Sequence, residues 1–188
     1  MTAAAATLRV RLEPLRPRVG IVLGSSLGAL ADAVTEPTTI SYRDLDGFPL
    51  PTVSGHAGEL VAGHLGGVAV AVLKGRAHAY ETGNAGAMRA PIETLAALGV
   101  EILLLTNAAG SLRPEVGPGR LMLLSDHINL AGMNPLIGEP GDERFVPLTD
   151  AYDPGLRLAM HRAARSEGIA LAEGVYAWFS GPCFETPA

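Results

Sequence analysis

Small and polar residues follow several of the strands that the sequence predicts, and their types suit an anion, a sugar and a flat base. The segment Gly24–Gly28, GSSLG, joins a strand to a helix. Its glycines allow a tight turn, and a helix N-terminus offers free N–H groups to an anion. The spacing matches neither the dinucleotide pattern GxGxxG nor the phosphate loop GxxxxGK(S/T). An anion site and a plain strand-to-helix turn therefore both stay open for this segment.

A second segment, Lys74–Glu81, carries three functional side chains in alternation. Its sequence is KGRAHAYE, and Arg76, His78 and Tyr80 point to one side if the chain is extended there. A guanidinium fork beside an imidazole suits a phosphate or a carboxylate. The alternation favours a binding role over the alternative, a solvated loop in which these groups pair with Glu81.

Two further segments, Thr106–Ser111 and Ser180–Thr186, also follow strands. The first, TNAAGS, is made of small residues whose backbone a ligand can approach, although a tight turn explains it equally well. In the second, SGPCFET, Glu185 could accept hydrogen bonds from a flat heterocycle while Phe184 packs on its ring. Three segments thus suit phosphate and a sugar, and the fourth suits a base. This combination indicates a nucleoside or nucleotide ligand.

The histidines outside these segments have weaker indications. His56 lies between glycines in SGHAG and could reach a ligand, whereas His64 is expected to be a core or edge residue of a strand. For Asp126–His127 a structural hydrogen bond is favoured over catalysis, and His161 is expected at a helix surface. No two histidines have metal-ligand spacing, so we predict no metal.

The elements that must position these residues alternate between strands and helices. Apolar stripes at helical spacing begin at Leu27, Met88 and Leu156, the last opened by the capping pair Asp153–Pro154. This order predicts an α/β sheet with helices on both faces, in which ligands bind beyond the carboxyl ends of the strands. The predicted strands are short runs of branched apolar residues: Val19–Leu23, Val61–His64, Val68–Lys74, Ile102–Thr106, Leu121–Ser125 and Leu171–Phe179.

Length and composition limit the class of protein. The 188 residues suit one domain, residues 1–188, and a composition of 48% hydrophobic and 18% charged residues argues against disorder. A net charge of −5 gives no general attraction to nucleic acid or to an anionic membrane. No apolar run approaches the roughly 20 residues that span a bilayer. The single cysteine excludes a disulfide within the chain. We therefore expect a cytoplasmic protein.

Seven stretches in order along the chain resemble one family, the trimeric purine nucleoside phosphorylases. They are GIVLGSSLGAL, GFPLPTVSGHAGELVAGHLGG, LKGRAHAYE, LGVEILLLTNAAGSL, LMLLSDHINLAGMNPL, RFVPLTDAYD and FSGPCFET. The resemblance implies a mixed, mostly parallel twisted sheet with helices on both faces. Because family members continue well past the FET motif, it also implies that the C-terminal part of the sheet is missing here.

The resemblance implies a role for each candidate residue. The phosphate site would consist of Ser25, His56, Arg76, His78 and the backbone of Ala108. Tyr80 would contact the ribose, Phe184 would pack on the base, and Glu185 would accept a hydrogen bond from N1–H of a 6-oxopurine. Phe145 would reach the ribose site of the neighbouring subunit in a homotrimer, and Asn107 would lie close to the base and phosphate.

The reaction that the resemblance implies is reversible phosphorolysis of 6-oxopurine ribonucleosides and deoxyribonucleosides, such as inosine and guanosine. Its products are the free base and ribose or deoxyribose 1-phosphate. Inorganic phosphate is the co-substrate, and no cofactor is expected because the phosphate dianion itself supplies the nucleophile. Three alternatives stay open: a methylthioadenosine phosphorylase, a non-catalytic remnant that binds a nucleoside or anion, and a disfavoured dinucleotide-dependent oxidoreductase.

Overall fold

The chain forms two compact units, Met1–Ala108 and Ala109–Ala188. The structure, a computed structural model, describes residues 2–50, 57–184 and 186. Within these ranges no helix is long and apolar enough to cross a membrane. Each unit is built around strands, and the segments singled out above follow strands in both.

The first unit contains a five-stranded mixed sheet. In chain order its strands are β1 (Val19–Val22), β2 (Thr35–Ser41), β3 (Glu59–Leu65), β4 (Val68–Lys74) and β5 (Ile102–Leu105). The order across the sheet is β2-β3-β4-β1-β5, with β1 parallel to both β4 and β5. The other two pairings are antiparallel. The predicted mixed α/β sheet is confirmed, and three of the four candidate segments follow the strands of its parallel part.

The antiparallel part of this sheet depends on a tight hairpin between β3 and β4. Leu65 pairs with Val68, which leaves Gly66 and Gly67 as a two-residue turn. Both glycines have positive φ angles, 57° and 79°. A two-residue turn with both φ values positive matches the right-handed twist of the flanking strands, and glycine adopts it without steric cost.

Helical segments cover both faces of the sheet. The first unit contains α1 (Ala3–Leu12), α2 (Ala79–Thr82), α3 (Arg89–Ala97) and 3-10 helices at Gly28–Ala33 and Tyr42–Asp44. On one face Leu8 of α1 and Leu95 of α3 belong to a buried cluster with alternate strand residues such as Leu73. On the other face Ala31 of the first 3-10 helix packs with residues of opposite orientation such as Val72. This arrangement confirms the prediction of helices on both faces.

Helix α1 and strand β2 are among the elements of the first unit that were not predicted. Thr2 caps helix α1, since its hydroxyl accepts a hydrogen bond from the Ala5 backbone N–H at 3.1 Å. An N-cap threonine followed by alanines favours a helix, although the alanines carry no amphipathic stripe. Strand β2 is a mostly polar edge strand that contains Pro37, and proline within a sheet is confined to such edges.

The second unit pairs β6 (Leu121–Asn129) with β7 (Leu171–Trp178) in parallel. A 3-10 helix at Asp142–Arg144 and helix α4 (Pro154–Ser166) lie between them in sequence. The Asp153 carboxylate accepts a hydrogen bond from the Leu156 backbone N–H at 2.7 Å, with Pro154 in the first turn, as predicted. Strand β6 is longer than predicted, so Asp126–His127 lie within the strand rather than after it.

Candidate active site

Three of the candidate segments meet at one edge of the sheet in the first unit. Strands β4, β1 and β5 are adjacent and parallel. Their carboxyl ends lead into three loops, which we call the serine loop (residues 24–28), the arginine loop (75–78) and the asparagine loop (106–108). Because parallel strands end at the same edge, their following loops form the usual binding crevice of an α/β sheet.

Arg76 links the three loops. Its Nη1 donates a hydrogen bond to the Thr106 carbonyl oxygen at 2.8 Å and another to the Leu23 carbonyl oxygen at 3.3 Å. The side chain is half-buried. A guanidinium stays charged at any pH that proteins tolerate, so these contacts hold one fixed positive charge where the loops meet.

The serine and asparagine loops are joined by the Thr106 side chain. Its Oγ1 accepts a hydrogen bond from the Gly24 backbone N–H at 2.8 Å and donates to the Val22 carbonyl oxygen at 3.1 Å. Gly24 packs closely against the backbone of Thr106, since a Cβ added to Gly24 would lie 2.8 Å from the Thr106 carbonyl oxygen. Sequence reasoning did not assign a role to Thr106, because its partners lie more than 80 residues earlier in the chain.

His78 is oriented by a carboxylate rather than by an extended backbone. Helix α2 begins directly after it, so the expected alternation of an extended segment is wrong at Tyr80. Oε1 of Glu81 accepts a hydrogen bond from the His78 backbone N–H at 2.6 Å and lies 2.9 Å from Nδ1 of the ring. The Tyr80 and His78 rings still stack, 4.8 Å between centroids. The pairing with Glu81 that we considered as an alternative is thus present, and it sets the ring orientation.

Two further contacts hold the arginine loop and the end of β4 that precedes it. The buried Tyr42 hydroxyl donates a hydrogen bond to the Gly75 carbonyl oxygen at 2.8 Å. Burial raises the pKa of Tyr42 well above its usual range, so the hydroxyl remains a donor. Nζ of Lys74 lies 3.4 Å from Oδ1 of Asp32, which joins the end of β4 to the 3-10 helix after the serine loop.

The remaining candidates of this unit lie on the same loops. Ser25 is exposed on the serine loop, next to Ser26, whose φ of 66° is in the left-handed region. Asn107 and Ala108 are exposed on the asparagine loop, where the Asn107 amide donates to the Ala108 carbonyl oxygen at 3.1 Å. The candidate His56 lies outside the described residues. The structure therefore places Ser25, Arg76, His78, Asn107 and Ala108 on the loops at one sheet edge, with Tyr80 in helix α2 directly after the arginine loop.

In the second unit two aromatic candidates are presented to solvent. Phe145 is 71% exposed, and the guanidinium of Arg144 lies 4.9 Å from its ring centroid. Arg144 is itself anchored, since its Nη1 donates to the Glu139 carbonyl oxygen at 2.7 Å. Arg144 and Phe145 border a surface cavity of about 260 Å³. Phe184 is 94% exposed, and Glu185 lies outside the described residues.

The other histidines have structural partners. Nδ1 of His64, half-buried near the end of the interior strand β3, lies 3.4 Å from the Glu36 carboxylate. Nδ1 of His127 lies 3.1 Å from the Tyr152 hydroxyl. Nε2 of His161 lies 2.6 Å from Glu173, whose pKa is held below its usual range by His161 and Arg157.

The candidate site is recognised by the convergence of the three loops. Across the described ranges, no group of three or more His, Cys, Asp or Glu side chains is placed to hold a metal ion. A surface cavity of about 390 Å³ lies beside α1, bordered by Arg9, Val10, Glu13, Arg16 and Leu98. Since none of these residues belongs to the three loops, the assignment of the site rests on the convergence of the loops.

Comparison with known proteins decides the family. Residues 18–188 match the model of the phosphorylase superfamily. The chain belongs to this superfamily. The matched stretch includes all three loops and both aromatic candidates of the second unit, so the resemblance inferred from the seven motifs is confirmed.

Individual phosphorylases of this superfamily are similar over nearly the whole chain. Purine nucleoside phosphorylase 1 of Bacillus subtilis is 43% identical over 188 residues, which cover 98% of this chain and 69% of that protein. Its counterpart in Geobacillus stearothermophilus is 45% identical over 179 residues, 93% of this chain and 65% of that protein. The chain thus spans about two thirds of the length of these relatives.

Solved structures of a third phosphorylase share the fold. Purine nucleoside phosphorylase of Schistosoma mansoni matches with a TM-score of 0.88 over 98% of this chain and 67% of that one. It has been crystallised with inosine, at 38% sequence identity, and with adenosine, at 39%. Both ligands named for that protein are purine nucleosides.

Proposed function

We propose that the protein catalyses the reversible phosphorolysis of 6-oxopurine nucleosides such as inosine and guanosine. The observation that carries this proposal is the convergence of the serine, arginine and asparagine loops around Arg76. Three loops that meet around a guanidinium suit an anion beside a sugar. The chain also belongs to a superfamily that includes purine nucleoside phosphorylases. Residues 1–188 would form part of one phosphorylase domain, since the family match continues through both units.

Phosphate would bind among the three loops. Its proposed ligands are Ser25, His56, Arg76, His78 and the backbone N–H of Ala108. The Arg76 guanidinium supplies a fixed charge whose position is set by two carbonyl oxygens, and Glu81 sets the orientation of the His78 ring. Charge-assisted hydrogen bonds from such preoriented donors are about twice as strong as neutral ones. This support favours phosphate over an uncharged ligand at the loops.

The nucleoside would bind beside this phosphate. Tyr80, stacked on His78 and 42% exposed, is the proposed ribose contact. Phe184 and Glu185 are proposed to bind the base, with Asn107 close to both base and phosphate. Phe145, presented by Arg144, would enter the ribose site of a neighbouring copy in a homotrimer.

The reaction needs no covalent intermediate with the protein. One phosphate oxygen forms a bond to C1′ of the sugar as the bond from C1′ to the purine nitrogen breaks. The electron pair of that bond leaves with the base, which takes up the proton that the attacking hydrogen phosphate loses, and ribose 1-phosphate remains. The transition state carries positive charge on the sugar, which the adjacent phosphate dianion stabilises. The protein's main contribution is to hold the two reactants in contact.

Glu185 would set the preference for 6-oxopurines. Its carboxylate can accept a hydrogen bond from N1–H of hypoxanthine or guanine. Adenine presents a lone pair at N1 and would leave this acceptor unmatched. A site built around such a hydrogen bond can discriminate by roughly 10⁴-fold. Since the Schistosoma mansoni relative has been crystallised with adenosine, binding alone is a poor measure of specificity and rates are needed.

The test is base release from four nucleosides, inosine, guanosine, adenosine and methylthioadenosine, each with and without phosphate. We expect release only with phosphate and much faster release from the first two. In Glu185→Gln the preference for inosine over adenosine should fall at least tenfold, whereas Glu93→Gln, on the exposed side of α3, should match the wild type. A preference for methylthioadenosine would identify the alternative phosphorylase. Binding without release would identify a non-catalytic remnant.

A further inference from the structure

Thr106 contacts the other two loops through both its carbonyl oxygen and its hydroxyl. Its carbonyl oxygen accepts the hydrogen bond from Arg76 Nη1 at 2.8 Å. Its hydroxyl accepts from the Gly24 N–H at 2.8 Å and donates to the Val22 carbonyl oxygen at 3.1 Å. One partly buried residue thus contacts both the serine loop and the arginine loop.

The donor and acceptor roles of the Thr106 hydroxyl are set by its partners. A carbonyl oxygen can only accept and an amide N–H can only donate, so the hydroxyl hydrogen points to Val22 and a lone pair to Gly24. This orientation fixes the first peptide of the serine loop against the end of β5. An added Cβ on Gly24 would lie 2.8 Å from the Thr106 carbonyl oxygen and 3.1 Å from Arg76 Nη1. The two loops and the guanidinium are therefore in direct contact.

We propose that Thr106 is a positioning residue of the phosphate site, holding the serine loop and Arg76 in the arrangement that binds the anion. The inference rests on the proposed function, because it assigns a role within the same site. Thr106 acts through Gly24 and Arg76, and its hydroxyl is the part of this connection that a substitution can remove. Loss of the hydroxyl leaves the partly buried Gly24 N–H without its acceptor. This loss destabilises the arrangement of the serine loop and Arg76 that binds phosphate.

Two substitutions separate the hydroxyl from the methyl group. Thr106→Val keeps the shape and removes the hydroxyl, whereas Thr106→Ser keeps the hydroxyl and removes the methyl. Thr35→Val is the matched control, because Thr35 donates one exposed hydrogen bond to the His64 carbonyl oxygen on β3, two strands away from β1. Each protein is titrated with inorganic phosphate by calorimetry. The phosphate KM, the inosine KM and kcat are then measured.

We expect Thr106→Val to raise the phosphate Kd and KM about tenfold or more. Its inosine KM should stay within about twofold of the wild-type value. Thr106→Ser and Thr35→Val should bind phosphate like the wild type. A purely structural role would lower the thermal midpoint without this selective change. If Thr106→Val fails to fold, hydrogen exchange in the wild type decides, because the Gly24 N–H should exchange slowly and more slowly still with phosphate.

The contrary results are distinguishable. If the wild type binds phosphate and Thr106→Val binds it equally well, this inference is overturned and the proposed function stands. Fast exchange of the Gly24 N–H in the wild type, unchanged by phosphate, also overturns it alone. If the wild type binds no phosphate and releases no base, the proposed function fails first and the inference fails with it.

Discussion

Gly24→Ala is the substitution that most directly tests the contact between the loops. Gly24 does not have a φ in the left-handed region, so its backbone conformation is open to alanine and only space is at issue. The new Cβ would lie 2.8 Å from the Thr106 carbonyl oxygen and 3.1 Å from Arg76 Nη1, where ordinary contacts begin at 3.4 Å. Since the nearest atoms include backbone, either the serine loop or the end of β5 must shift.

Overpacking of this kind destabilises proteins by about 1–3 kcal/mol. We therefore expect urea denaturation to show a fall of that size in the unfolding free energy of Gly24→Ala. Because Arg76 must also move, the phosphate KM should rise about tenfold, the effect of roughly 1.4 kcal/mol on binding.

Gly28→Ala is the control for stability, since its Cβ would meet only Lys74 Cε, at an ordinary 3.5 Å. The unfolding free energy of this variant should stay within about 0.5 kcal/mol of the wild-type value. Equal unfolding free energies for Gly24→Ala and Gly28→Ala would refute the reasoning, because they would mean that the loops are not in contact at Gly24.

Three further predictions concern stability. Tyr42→Phe removes the buried hydroxyl that donates to the Gly75 carbonyl oxygen, so the unfolding free energy in urea should fall by about 1–3 kcal/mol, and an unchanged value would contradict the contact. The pKa of Glu173 is lowered by His161, so its contribution to stability is present above the ordinary carboxyl pKa of 4.5 and is lost as the pH falls through the lowered value. The thermal midpoint of Glu173→Gln should therefore lie below that of the wild type at about pH 6, and the difference should shrink as the pH falls below the ordinary carboxyl pKa, whereas a difference that does not change with pH would argue against the ion pair. Ser26→Gly relieves a left-handed φ of 66° and should raise the unfolding free energy by about 1 kcal/mol, with a decrease as the contrary result.

The positions of the loops could be predicted from sequence because two general rules apply to them. Continuous apolar runs, as in Ile102–Leu105, predict strands of a parallel sheet, although this edge strand alternates between half-buried and exposed residues in the structure. Ligands bind beyond the carboxyl ends of such strands. These rules located the arginine loop and the asparagine loop without any knowledge of their contacts. The motifs then supplied the family, which the comparison confirmed.

The contacts that hold the site together could not be predicted in the same way. The hydrogen bond between Gly24 and Thr106 joins residues 82 positions apart, and no local pattern indicates it. Pairing with Glu81 is open in the sequence as an alternative, but the alternation of functional residues favours an extended chain, whereas the structure has a helical turn there. Helix α1 was missed because alanine favours a helix without producing an amphipathic pattern.

The measurement that tests the central claim most directly is product formation from inosine as the phosphate concentration is varied. The wild type, Arg76→Met and the exposed control Arg16→Met are compared. We predict that hypoxanthine and ribose 1-phosphate form in equal amounts and only with phosphate. Arg76→Met should need a much higher phosphate concentration, and Arg16→Met should match the wild type. Release of hypoxanthine without phosphate, or an Arg76→Met variant with an unaltered phosphate response, would contradict the assignment of the three loops as the phosphate site.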